Sequence, residues 1–406
     1  MIELFKKILL FLMIFAVFND AMVTEYAGET VLKLITQLFI VVHLRDFYYI
    51  IIGQKTAVMQ SFYVMMLVVL AVLLFSNLLY FDVLLDFNLK RMVSIFAIFV
   101  YVAHYKEFDQ MLYVIWFTMI VSSIYAYFGD TVEEYTFRKS GGNEDPNEYA
   151  AQLLSVMFIT VYLFNKNKNY YFLLGSLSFF MYSLLYAGSK SSFIFLSLLL
   201  VIIAFVKRDV IMNYIFSMRG MTGSIIIFAI LAGVGFMMSG DSAISGLQER
   251  AGSTGTFEQR LIVWSAGLEM ISDNFFLGVG FGEFSTHVGD YLRSYLADEA
   301  HASHNVFIKI FAESGVFSFI AFVVFIFLLF RSKYYEIVHS NYFWVYLSSL
   351  AVILMGLTVP TLHHKDFWVS LAVLANVIYQ FEFDDIYSEN SNTEVVDEDR
   401  TYITQI

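Results

Sequence analysis

Residues 305–330 read NVFIKIFAESGVFSFIAFVVFIFLLF. About 20 mostly apolar residues suffice for a helix to cross a bilayer, and in this run only Lys309 and Glu313 are charged. Such a stretch does not suit the surface of a water-soluble domain. It sets the class of the chain as an all-α, polytopic integral membrane protein. Similar apolar segments recur on both sides, at 5–19, 27–44, 57–80, 92–104, 110–128, 149–164, 170–187, 191–206, 222–238, 342–360 and 367–382. The predicted architecture is therefore about 12 transmembrane helices with one large folded loop. Helices 1–9 are expected in 1–238, the large outer loop in 239–304, helices 10–12 in 305–382, and an acidic inner tail in 383–406.

Composition agrees. The chain is 59% hydrophobic and 15% charged, against about 45–50% and about 25% for soluble domains. It contains two prolines, which suits long uninterrupted helices. The absence of cysteine excludes disulfide frameworks, cysteine zinc sites and thiol nucleophiles. A net charge of −12 argues against nucleic acid as a partner. Between Glu382 and Asp399 there are eight acids and no base, the pattern of a solvated tail. Lys6 and Lys7 precede an apolar run without a small-x-small cleavage site, so this segment reads as a retained first helix.

Cation placement predicts sidedness. With a cytoplasmic N-terminus the inner loops hold Lys6, Lys7, Arg45, Lys55, Lys106, Lys166, Lys168, Lys207, Arg208, Arg219, Arg331 and Lys333. The short outer loops hold Lys90, Arg91, Arg138, Lys139, Lys190 and Lys365. Both ends are predicted to be cytoplasmic, with Lys90 and Arg91 against the trend. Two long segments, 129–148 and 239–304, then face outward. The second begins rich in glycine and serine and continues with Leu261, Trp264, Leu268 and Ile271 at helical spacing. It then turns at Gly278-Val279-Gly280-Phe281-Gly282. That run lacks the spacing and the acid of a dinucleotide fingerprint and reads as a turn.

Several groups could carry chemistry. In His301-Ala302-Ser303-His304-Asn305, a histidine at the membrane boundary could deprotonate a hydroxyl. The structural alternative is a polar helix start with capping side chains. A metal reading lacks a third ligand at suitable spacing. Arg260, four residues before Trp264, could fork onto a phosphate or stack on the indole. From Asp241 to Glu299 the loop has nine acids and three arginines, Arg250, Arg260 and Arg293, so anion binding there needs a locally aimed arginine. Lys190, in Gly188-Ser189-Lys190-Ser191, could hold phosphate or snorkel to the headgroups. Glu313 is an intramembrane acid and so a candidate by default, with Lys309 offering a plain ion pair one turn away.

The order of these features resembles the O-antigen ligase and O-antigen polymerase superfamily of bacterial envelope glycan assembly. The matching residues are Arg260-x-x-x-Trp264, Leu268, Leu277-Gly278-Val279-Gly280-x-Gly282-x-Phe284, His301-x-x-His304-Asn305 and Glu313-x-Gly315. Upstream, Asp145-Pro146-Asn147-x-Tyr149-Ala150 and Gly188-Ser189-Lys190 also fit, with Lys190 where the family commonly has arginine and Phe275 where it usually has proline. The resemblance implies an inverting enzyme of the bacterial inner membrane. It would move a glycan from undecaprenyl diphosphate to an acceptor hydroxyl at the periplasmic face, with no metal, cofactor or nucleotide sugar. It implies His304 as base, Arg260 and Lys190 at the diphosphate, and His301, Asn305, Trp264, Glu313 and Arg250 as substrate contacts. The donor glycan, a glycan or lipid A-core acceptor, membrane lipids and other polysaccharide-assembly proteins are the partners it implies. Polymerase is favoured over ligase. A glycolipid transporter or flippase is the alternative from another class, and a sensor or scaffold without chemistry is a third. Transport is disfavoured because the spans are nearly free of charge and proline.

Overall fold

The computed structural model describes residues 2–53, 55–80, 85–128, 139–143, 145–208, 255–292 and 302–391. Helices dominate, with no strand among the described residues. Eleven of the predicted spans fall on described helices, and 222–238 lies outside the described residues. Among the described residues, four helices are long and apolar enough to cross a membrane: Ala57–Ser76, Phe108–Phe128, Tyr170–Ala187 and Val306–Arg331. Counting two bent pairs as single spans raises the number to six. One pair, Ile2–Phe18 with Asp20–Ala27, bends by 102°, and the other, Val31–Val42 with Leu44–Ile52, by 56°. The first bend falls at Asn19, whose buried amide donates to the Phe15 carbonyl and accepts from Ser122 at 2.6 Å.

Four helices meet around stacked rings. Phe62 and Phe99 lie 3.8 Å apart, with Phe325 and Trp368 closing on them. This joins Ala57–Tyr80, Leu85–Ala103, Val306–Arg331 and Lys365–Ser391, and such aromatic burial dominates core energetics. Pro146–Asn167 is more polar yet buried on almost every side. Its polar groups are paired, as buried ones must be: Ser155 with Ser348 at 2.7 Å, and Gln152 donating to Asp366 at 3.0 Å and to Asn143 at 2.8 Å. The helix starts where the sequence signals it. Asp145 accepts from the Asn147 N–H at 2.7 Å and Pro146 occupies the first turn, where its missing N–H costs nothing.

The two ends of the bundle differ. At one lie Lys6 with Asp46, Lys166 with Asp109, and Lys207 on the Val338 carbonyl, together with Arg331 and Lys333 where Val306–Arg331 ends. The other end gathers Asn88, Arg91, Ser189, Lys190, Asn305 and the turn Thr361–His363 at the helix ends that face it. The last helix runs on to Ser391, past the boundary at 383 expected for a solvated tail. No proline or glycine interrupts residues 365–391, so nothing local stops the helix. Residues 392–406 lie outside the described residues.

Candidate functional site

Glycine decides the local architecture. Val306–Arg331 is two helices meeting at Gly315, whose backbone has φ 68° and ψ −176°, a region essentially reserved for glycine. Into that break docks the Gly-rich turn. Val279 N–H donates to the Ala312 carbonyl at 2.9 Å, Gly280 N–H to Glu313 at 3.0 Å, and Val316 N–H to Phe275 at 2.9 Å. A Cβ on Gly315 would run into the Phe276 carbonyl, and one on Gly278 into the backbone of Glu313. The sequence features Leu277-Gly278-Val279-Gly280 and Glu313-x-Gly315 are thus two halves of one contact.

Glu313 is fully buried within that contact. Its Oε2 lies 2.8 Å from His363 Nε2, and its Oε1 accepts from the Phe284 N–H at 3.4 Å. Lys309 acts on it only through its field, so the expected neighbour in the helix is not the hydrogen-bonded partner. The reason is position: His363 sits on the short helix Thr361–His363, which packs against Val306–Arg331. Burial pushes His363 down to about 4, against the pull of Glu313, with Lys309 and Arg91 pushing the same way as burial. The neutral ring therefore donates Nε2–H to the carboxylate, and its edge meets Phe281 with centroids 4.5 Å apart. His364 lies 3.0 Å from Glu148. Burial, Lys309, His363 and Arg91 lower its pKa as well. Asn88 donates to the Phe281 carbonyl at 2.5 Å and ties Leu85–Ala103 to the same turn.

His304 stands just before the broken helix with φ 46°, a left-handed conformation uncommon for a residue with a side chain. Both neighbours are fixed. Ser303 is fully buried and its carbonyl accepts from the Trp264 indole at 2.9 Å. Asn305 caps the helix, accepting from Phe307 N–H at 2.9 Å and Ile308 N–H at 3.2 Å. Capping is therefore the work of Asn305. Trp264 also joins this segment to the helix Gly255–Asp273, which carries Arg260 one turn earlier on a partly exposed face.

Lys190 is exposed at the first position of Lys190–Val206. A cation there opposes the helix dipole, so the position does not serve helix stability. Its neighbours are a serine cluster, with Ser192 donating to the Ser189 carbonyl at 2.6 Å. His301 and Arg250 lie outside the described residues. His363, Arg91 and Asn88 were missed by sequence reading. Arg91 did carry a signal, as one of the two cations on the wrong side of the charge asymmetry. His363 carried none, since its partner is fifty residues away. An apolar groove of about 350 Å³ runs along Leu89, Met92 and Phe96, facing Tyr63, Met66 and Leu70, just below Asn88.

The apolar helices define an all-helical membrane protein among the described residues, with a polar, backbone-clamped cluster at one end of the bundle. Residues 172–323 match the family model described as O-antigen ligase, a stretch containing Lys190, Arg260, the Gly-rich turn, His304 and Glu313. The match supports the resemblance to the O-antigen ligase and polymerase superfamily and an enzyme of that type in a bacterial membrane. No curated protein matches the chain.

Proposed function

We propose that this protein is a surface-polysaccharide polymerase of the bacterial inner membrane, with both termini cytoplasmic and the site facing the periplasm. It moves a glycan from undecaprenyl diphosphate to a hydroxyl of a second lipid-linked glycan, with inversion at the anomeric carbon. The observation that carries this reading is His304, held in an unfavourable backbone conformation between two clamped neighbours. Strain of this kind, of order 1–3 kcal/mol, clusters at functional sites. In the reaction His304 accepts the proton of the acceptor hydroxyl as its oxygen bonds to the anomeric carbon. The bond from that carbon to the phosphate oxygen breaks, and its electron pair leaves with undecaprenyl diphosphate. Arg260 and Lys190 offset the charge on the leaving group. Glu313 and His363 hold the framework, and Asn305 and Trp264 hold the base. His301 and Arg250 are proposed as further substrate contacts. No metal or cofactor takes part in this scheme.

The family description favours an O-antigen ligase equally, with lipid A-core as acceptor. The transfer step would be the same. The test is transfer from a labelled undecaprenyl-diphosphate glycan in proteoliposomes. His304→Ala should slow it about 10²–10⁴-fold, the usual effect of losing a general base. Near-normal transfer by that variant would remove the base assignment. Flipping of the donor without any transfer by the native protein would make it a transporter.

A further inference from the structure

The Gly-rich turn was expected in a loop outside the membrane, yet its depth can be measured against the helix it docks on. Phe317 precedes Arg331 by fourteen positions on that helix, or about 21 Å at about 1.5 Å per residue. The hydrocarbon layer is about 30 Å thick. With Arg331 at the far boundary, Phe317 lies inside hydrocarbon, and the Phe276 ring is 6.4 Å from it. We infer that 275–282 is a re-entrant element dipping into the outer leaflet, with the exposed side of the helix Gly255–Asp273 lying along the membrane surface.

Two independent features agree. Irregular backbone is tolerated at membrane depth only when its polar groups are met by protein. Here Gly278, Val279 and Gly280 donate to Asn274, Ala312 and Glu313, and the Phe275 carbonyl accepts from Val316. The second feature is exposure. Phe275 is 43% exposed, Phe276 64%, Leu268 58% and Leu261 45%, and they continue the strip formed by Phe317 at 55% and Phe327 at 62%. That strip belongs to a span facing lipid, so the occupant of its continuation is the hydrocarbon of the same leaflet. Leu261 and Leu268 run along one edge of the exposed arc of Gly255–Asp273, and Glu269 and Asp273, about 100–140° round the helix from Leu268, are exposed and charged on the other edge, as water-facing positions of an interfacial helix should be. The inference does not depend on the transfer reaction. If that reaction is right, the donor's diphosphate meets the site without leaving the headgroup layer.

The native chain has no cysteine, so single substitutions report cleanly. Phe276→Cys, Leu268→Cys and Glu269→Cys would be reconstituted in phosphatidylcholine–phosphatidylglycerol vesicles and treated with a membrane-impermeant maleimide, before and after detergent. Normalising to Glu269→Cys cancels the orientation of the protein in the vesicle. The expected result is labelling at positions 276 and 268 at least ~10-fold slower than at 269 in the bilayer, converging in detergent as the partition of a buried apolar side chain requires. Equal rates in the bilayer overturn the inference. If Phe276→Cys fails to fold, Leu268→Cys carries the same test. The donor-transfer assay on the native protein fails or succeeds separately.

Discussion

His304 owes its geometry to its neighbours, so its surroundings can be changed without touching it. Trp264→Phe removes the indole donor to the Ser303 carbonyl. A single hydrogen bond of this kind is worth about 1 kcal/mol net, so thermal stability should change little while transfer drops clearly. Equal activity and stability in the variant would show that the clamp has no role. His363 gives a pH prediction. Its pKa is held at about 4 when folded, against about 6.5 in an unfolded chain. Between those values the unfolded chain binds a proton that the folded one does not, so stability falls as pH drops through that window. Melting in detergent at pH 7.5 and pH 5 should show a drop in the native protein that is smaller in His363→Gln, with Glu313, Lys309, Arg91 and His364 still facing the site. An undiminished drop would place the sensitivity elsewhere. At this scale Glu313 stands out in the sequence because a charge within an apolar helix is expensive, while His304 and Arg260 are candidates that their local motifs single out. The Glu313 partner was not, because pairing across fifty residues leaves no local pattern.

At the scale of elements, the break in Val306–Arg331 is the decisive feature. Gly315→Ala puts a Cβ against the Phe276 carbonyl in a backbone region closed to other residues. The variant should lose several degrees or more of melting temperature, since strain of about 1–3 kcal/mol adds to a steric clash. Unchanged melting would mean that the turn does not dock in the break. The glycines of 278–282 announced a turn, but not what it turns against. The helical spacing of Leu261, Trp264, Leu268 and Ile271 announced a helix but not which of its faces is buried. Val263, Ala266, Met270 and Ile271 are the buried positions, while Leu261 and Leu268 are exposed. Periodicity reports an apolar stripe whether protein or lipid covers it. The cap at Asp145 and the αL glycine at 188 are local features, yet the apolar run alone places the helix start at 149, three residues late.

For the whole molecule, apolar runs gave the class at once. Among the described residues four helices, or up to six with the bent pairs, meet the length and composition of a span, while about 12 apolar runs read as spans, one of them outside those residues. The bends fall at Asn19, bonded to Ser122, and at His43, packed against the Tyr101 ring, and these, like the burial of a helix as polar as Pro146–Asn167, are tertiary features that a hydropathy window does not see. The separation of cations at one end from the clamped site at the other fits transfer at a membrane face. The most direct measurement is to delete the gene in the bacterium of origin and run its surface glycan on a gel, with native and His304→Ala complementation beside it. The expected result is that the long ladder collapses to core plus one repeat, that the native gene restores it, and that His304→Ala does not although its protein reaches the membrane. Loss of every repeat with lipid-linked polymer accumulating would make the protein a ligase. An unchanged ladder in the deletion strain would contradict the account.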